Sequence, residues 1–358
     1  MFFLLYNTCF SKEVVLNTSN NDKIVGITSF VMNSKNEMFL LSFKLRQIFK
    51  FNSKGAYIKT FCRKGQGPGE INRVFKIFIN PQNNYLYLPE FFSGTGKVTI
   101  YDSNGTYMGL LKIKGTNINL DTIESLSFSN DSEMFIMTNK RVGWKSVGDL
   151  YITQEETNIK SFDKNGKFIN NVFTIKIDGE LSNKMGFGGP NILFKPHIIM
   201  RKIQSNHIMI AKSDESVINI YSKFGKITKS IKLNLSKNKL SKSEFIKHKK
   251  LLISHFTPES RMHYLAKHMI KRKYKSIYDN IFILDDKIIL SQNFKIDNNG
   301  NVQKTKLQIY NLRGKKIGEQ FLNGQVIAIT NNLLLKINSD SDDNKIFSTK
   351  SFAIKNLN

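Results

Sequence analysis

The chain has little of several residues, and each shortage removes a class of protein. It holds 6 Pro and 22 Gly in 358 residues, so neither a collagen-like repeat nor a Pro/Gly low-complexity segment is present. Two cysteines, Cys9 and Cys62, cannot build a disulfide framework or a four-thiolate zinc site. There is a single Trp against 28 Phe. No apolar run reaches the roughly 18 residues a membrane-spanning helix needs. Acidic residues are scarce, 28 against 54 basic ones, for a net charge of +26 and a pI near 9.8. Arg is scarcer still, with only 8 of those 54. Arg is the residue suited to bidentate phosphate and base contacts, so this lysine-dominated surface speaks against nucleic acid. Abundant Lys, Asn, Ile and Phe together fit AT-rich coding as well as a charged partner.

What is present is a repeat. Five segments share an alternating apolar strand, a polar turn ending in Gly, and a second strand. Their turns close at Gly55, Gly105, Gly166, Gly225 and Gly314. Alternation of period 2 gives a half-buried strand, and the glycine supplies the positive φ of a hairpin turn. An aromatic precedes each turn (Phe51, Tyr101, Phe162, Tyr221, Tyr310) and is expected to cover the packed face. Another strand precedes each hairpin, at Glu37–Leu41, Tyr85–Leu88, Glu133–Met137, His207–Ile210 and Lys287–Leu290. Before it lies one more, for example Ile27–Met32 or Val74–Ile79. A sixth unit is assembled from Val326–Ile329, Leu333–Ile337 and Ser351–Ile354, with Lys12–Asn17 adding a strand that closes the ring. Six four-stranded units predict an all-β, six-bladed β-propeller around a central channel, over residues 12–358.

The turn glycines lie 50, 61, 59 and 89 residues apart, and the last interval holds an insertion at residues 236–275. Ser241-Lys242-Ser243-Glu244 reads as a capping box opening a helix. Thr257-Pro258-Glu259 reads as an N-cap with Pro at the first helical position. Met262, Leu265, Ala266, Met269 and Ile270 then share one helical face. The segment predicts a helical hairpin between blades 4 and 5. It carries 12 Lys/Arg against two Glu and ends in the basic cluster Lys271, Arg272, Lys273 and Lys275. That cluster is either a solvated surface or a contact for an acidic partner or anionic headgroups.

At the amino terminus Phe2–Tyr6 is a short apolar run followed by Asn7, Thr8 and Cys9. Residues 1–11 read as the tail of a signal or lipoprotein segment, with Cys9 the site of lipid anchoring, or as an ordinary first strand with a buried Cys.

One motif stands apart: Arg63-Lys64-Gly65-Gln66-Gly67-Pro68-Gly69-Glu70, a tight loop without the Gly-Lys-Ser/Thr of a P-loop. Its amides, with Arg63 and Lys64, suit an anion. Together with the hairpin before it, Phe49–Glu70 resembles bacterial six-bladed β-propellers of the NHL-like or TolB-like kind, many of them envelope lipoproteins. The resemblance extends through the hairpins over most of residues 24–354. Cys62 departs from it, standing where small residues or Gly are common. The resemblance implies a six-bladed fold and an envelope location, and no agreed reaction.

Catalytic signatures are absent from the sequence. The six His form no His-Glu-x-x-His pattern, no Gly-x-Ser-x-Gly occurs, and acids such as Asp102, Asp163, Asp285 and Asp286 sit in turns. No metal ligand set and no cofactor is expected. The sequence thus predicts a monomeric, non-catalytic envelope protein that binds a protein or glycan. Arg63, Lys64, Gln66 and Glu70 are its candidate ligand contacts, and Lys271, Arg272, Lys273 and Lys275 its candidate partner contacts. Two alternatives stay open: a metal-assisted hydrolase or lactonase in the channel, and a cytoplasmic scaffold working through the basic insert.

Overall fold

The computed structural model describes residues 13–15, 26–90, 97–116, 123–129, 132–147, 150–182, 188–191, 196–203, 206–237, 239–254, 257–267, 274, 276–284, 286–296, 302–323, 325–330, 333–339 and 345–351. Among these it is almost entirely antiparallel sheet. Strand β1 (Glu13–Val15) comes first. The sheets that follow are β2 to β5 (Ile27–Met32, Met38–Ser42, Gln47–Phe51, Tyr57–Phe61) and β6 to β9 (Phe78–Asn80, Tyr85–Pro89, Val98–Tyr101, Tyr107–Leu111). A five-stranded sheet, β10 to β14, holds Ile123–Phe128, Met134–Val147, Leu150–Phe162, Phe168–Ser182 and Gly188–Asn191. Next stand β15 to β18 (Ile198–Lys202, His207–Lys212, Val217–Ser222, Ile227–Lys232) and β19 to β22 (Asn280–Leu284, Lys287–Ile296, Val302–Asn311, Lys316–Asn323). In the last sheet β23 to β25 (Gln325–Thr330, Leu333–Ser339, Lys345–Ser351) are joined by β1, which pairs with β25.

Apart from β1, the strands of each sheet pair in chain order, as short loops dictate. The first strand of each sheet stands beside the first strand of the next: β2 by β6, β6 by β10, β10 by β15, β15 by β19, β19 by β23, and β23 by β2. Side chains between neighbouring sheets form the core. One cluster joins Phe39, Ile48 and Leu41 of one sheet to Leu86, Leu88 and Tyr101 of the next. Another joins Tyr87 and Val98 to Phe128, Ile136 and Phe162.

The five hairpin glycines all have φ between +76° and +83°. A second demand acts on three of them. A Cβ on Gly166 would lie 2.2 Å from the Lys112 carbonyl oxygen, on Gly225 2.9 Å from that of Asn171, and on Gly314 2.3 Å from that of Lys232. Each turn therefore presses its backbone on the outermost part of the preceding sheet, and only Gly lets it come so close. Asn52, Asp102, Asp163 and Asn311 open their turns by accepting backbone N–H bonds from residues two and four further on. The aromatics before the turns are buried as expected.

Several boundaries differ from those read in the sequence. The strand expected over Val74–Ile79 is β6, Phe78–Asn80, with Val74 making only an isolated bridge to Glu90. The last sheet's third strand is Lys345–Ser351 rather than Ser351–Ile354, whose final residues lie outside the described ones. The strand expected over Glu133–Met137 runs on to Val147. Beyond Met137 the sequence is polar and shows no alternation. Cross-strand contacts carry it instead, among them the Lys140–Glu156 ion pair and the Thr157 hydroxyl donating to Asn139 Oδ1 at 2.6 Å.

In the insertion, α1 spans Lys242–Ser254 and its capping box forms: the Glu244 N–H donates to Ser241 Oγ and the Ser241 N–H to Glu244 Oε2, both at 3.1 Å. Helix α2 spans Arg261–Lys267. Its cap is Ser260, whose Oγ accepts the His263 N–H, and Thr257 begins the turn before it. Pro at 258 fits that turn as well as it fits a helix start, which is why the sequence placed the helix three residues early. Leu265 and Ala266 are buried, and α2 packs on α1 and β14.

Candidate functional site

Residues in or beside the first strands β2, β6, β10, β15 and β19 line two adjoining cavities of about 330 and 550 Å³, which share Lys76, Ser125, Met200, Arg201 and Asn280 in their walls. Their size is that of a small-molecule site. The strands that line them supply side chains from distant parts of the chain, so none of this clustering is visible as a local motif.

Arg201 is the central charged group. It sits near the end of β15 and reaches across to β19. Its Nε donates to the Ile281 carbonyl and its Nη1 to the Met200 carbonyl, both at 2.8 Å, and its Nη2 donates to Asn280 Oδ1. All three acceptors are neutral. Burial pushes the guanidinium down to about 10, and among the described residues no carboxylate opposes it. Lys202 is likewise lowered by burial. Lys76 is paired with Glu124 and also donates to the Glu124 carbonyl. His197 Nε2–H donates to the Asp279 carbonyl at 2.8 Å. The Asp279 carboxyl is raised by burial, although it accepts the Asn293 N–H. The two acids of the cavity are therefore engaged, and positive charge prevails.

The glycine-rich loop lies elsewhere, after β5. Here the structure brings Arg63 and Glu70 together, with Arg63 Nε 2.8 Å from Glu70 Oε1. The other carboxylate oxygen accepts the Gly67 N–H at 2.8 Å. The anion in the nest of amides is thus the loop's own Glu70. A Cβ on Gly65 would stand 1.9 Å from that carboxylate, which explains the glycine. The loop is pinned from below as well, where Tyr101 Oη donates to the Gly69 carbonyl and Lys97 Nζ to that of Glu70. Arg63, Lys64 and Gln66 face solvent. The Gly67 amide, and after it Arg63, hold the Glu70 carboxyl below its ordinary range. A group lowered by folding stabilises the fold above its unfolded pKa and loses that contribution as acid protonates it. Glu70→Gln is accordingly expected to loosen residues 63–70 at neutral pH as acidification loosens the wild type, read by amide hydrogen exchange of Gly65 and Gly67.

Cys62, just before the loop, has φ +68°, the left-handed conformation that favours Gly. Burial pushes its thiol up to about 12. Since only thiolate reacts, Cys62 in a Cys9→Ser background is expected to resist iodoacetamide in the native state at about pH 8 and to react readily in urea. Labelling at equal rates in both conditions would contradict it.

The chain's one Trp, Trp144, is half exposed on the β11–β12 ribbon, with the Arg141 guanidinium 5.2 Å from its ring. Its neighbour Val142 is exposed too. Nothing in the repeat pattern marked this ribbon.

Cys9 and the basic cluster Lys271, Arg272, Lys273 and Lys275 lie outside the described residues. Among the described residues, no three His, Cys, Asp or Glu side chains gather in a metal-binding group, and no helix is long and apolar enough to cross a membrane.

No protein-family model matches the sequence, and no curated protein matches it significantly. Solved structures do. A putative exported protein from Bacteroides fragilis superposes with a TM-score of 0.57 at 12% identity, over 96% of this chain and 95% of that one. A member of the DUF4221 family from Bacteroides vulgatus gives 0.50 at 11% identity, over 96% of each chain. A streptogramin B lyase is more distant, at 0.43 and 10%. The chain shares the overall fold of the first two.

Proposed function

We propose that this chain is a non-catalytic binding protein of the bacterial cell envelope, built as a six-bladed β-propeller of the NHL-like or TolB-like kind. The basic helical hairpin is inserted between blades 4 and 5, and Cys9 carries a lipid anchor. The six-bladed reading is supported by the succession of first strands, each beside the next and the last beside the first, with β1 completing the final sheet as a closing strand. The envelope location is supported by the likeness to a putative exported protein. The partner is a protein or a glycan. One observation carries the binding role: Arg63, Lys64 and Gln66 are presented to solvent on a loop fixed from within by Glu70. Such a loop binds without first being ordered. The exposed Trp144 adds a rigid aromatic of the sort that anchors partners.

Two experiments test the reading. Cells of the source organism fed labelled fatty acid should carry label in an envelope-bound protein, lost in Cys9→Ser. An unlabelled cytoplasmic protein would overturn the location. In a panel of surface polysaccharides and envelope proteins, at least one should bind saturably and unaltered, about tenfold more weakly to the double variant Arg63→Ala/Lys64→Ala. Chemical conversion of the bound partner would overturn the non-catalytic role.

A further inference from the structure

We propose that the space enclosed by the first strands is a binding site for a small organic acid, whose oxyanion docks on Arg201 and whose body lies against Phe30, Phe78, Leu126 and Met200. This site is separate from the surface loop at residues 63–70, and either can fail without the other.

The first reason is the donor inventory. A guanidinium has five N–H groups in a planar fork. Three are taken by the Ile281 and Met200 carbonyls and by Asn280 Oδ1. The remaining two, one on each Nη, have no protein acceptor among the described residues, while Arg201 borders both cavities. Two N–H groups on neighbouring nitrogens match the two oxygens of a carboxylate or phosphate.

The second reason is charge. Withdrawing a cation from water costs several kcal/mol unless an anion compensates. None does so here. Glu124 is engaged by Lys76, and Asp279 accepts the Asn293 N–H and lies beside His197. Lys202 adds a second cation to the same wall. A staple between β15 and β19 would need only the neutral acceptors already in place, and a neutral amide could supply it. The full charge is what a bound anion would use.

The third reason is shape. The walls combine this positive end with Ser125, Ser127 and Asn280 as further polar contacts and an apolar stretch through Phe78, Leu126 and Met200. A bare inorganic ion would leave that stretch in contact with nothing.

The probes are phenyl phosphate, benzoate and glucuronate, with inorganic phosphate for the bare ion and benzyl alcohol and glucose as uncharged counterparts. Calorimetric titration of the whole chain is expected to show at least one organic anion bound once per chain, with a Kd of about 1 mM or tighter, and at least tenfold weaker binding of its uncharged counterpart. Arg201→Lys keeps the charge and loses the fork, and should weaken the anion about tenfold or more. Arg201→Gln should remove binding. Should Arg201→Gln fail to fold, Ser125→Leu decides, since it fills the space without touching Arg201 and should also abolish binding. Saturable binding that survives both Arg201→Lys and Ser125→Leu would overturn the site. So would the absence of binding by all three organic anions. Equal affinity for inorganic phosphate and phenyl phosphate would overturn the organic body.

Discussion

Gly166→Ala is expected to destabilise the protein by about 3 kcal/mol, a large change for a single methyl group. Two costs add. The residue sits at φ +80°, where an L side chain is strained, and its new Cβ would lie 2.2 Å from the Lys112 carbonyl oxygen. That oxygen has little room to step aside, because two residues on, the Lys114 N–H donates to the Gly166 carbonyl and the Phe168 N–H to that of Lys114, tying the segment to the turn. The change therefore acts on the seam between two sheets. Gly109→Ala is the control. It has φ +130° but nothing within 4 Å of the added atom, so only the backbone strain applies. Urea titrations of the two variants check the difference, and equal midpoints would show that the seam does not govern the cost.

The second large effect is expected at Phe162. Its side chain is fully buried in the cluster that binds Val98 and Tyr87 of one sheet to Phe128 and Ile136 of the next, edge-on to Phe168 at 6.0 Å. Truncation to Ala removes a ring from between two sheets that can each relax only slightly, at a cost of about 4 kcal/mol. Phe162→Leu, which refills most of the volume, should lose less than half of that. Tyr310 is an informative contrast, because its hydroxyl is buried without a hydrogen-bond partner among the described residues. Tyr310→Phe should leave the urea midpoint unchanged or raise it. A loss there as great as at Phe162 would mean that the hydroxyl has an acceptor.

The two sites illustrate what can be read without coordinates. Gly166 and Phe162 belong to a local pattern, strand–aromatic–turn–Gly, whose chemistry is complete within eight residues, so the repeat was legible. The glycine loop was legible as a rigid element for the same reason. Its internal anion was not, because a carboxylate three residues from a glycine gives no sign that it folds back. Arg201 left no trace at all. Its acceptors Asn280 and Ile281 lie some eighty residues on, and only the adjacency of β15 and β19 makes them partners. The long ribbon ending at Val147 escaped notice because polar cross-strand pairs, not alternation, sustain it. In a ring of similar sheets, what is repeated is written locally, and what lies at the centre is written across the chain.

The pairing of β1 with β25 has a mechanical side. Glu13 stands opposite Lys350 and Val15 opposite Ser348, so the two strands leave the sheet at the same end. Tension applied between them would peel the bonds apart one after another instead of loading them all at once. Among the described residues three pairs resist it, whereas the longest ribbon there, β11 on β12, has thirteen. The clasp of the ring is thus a short one, and a pull on these two strands would open the last sheet first and leave the other five standing.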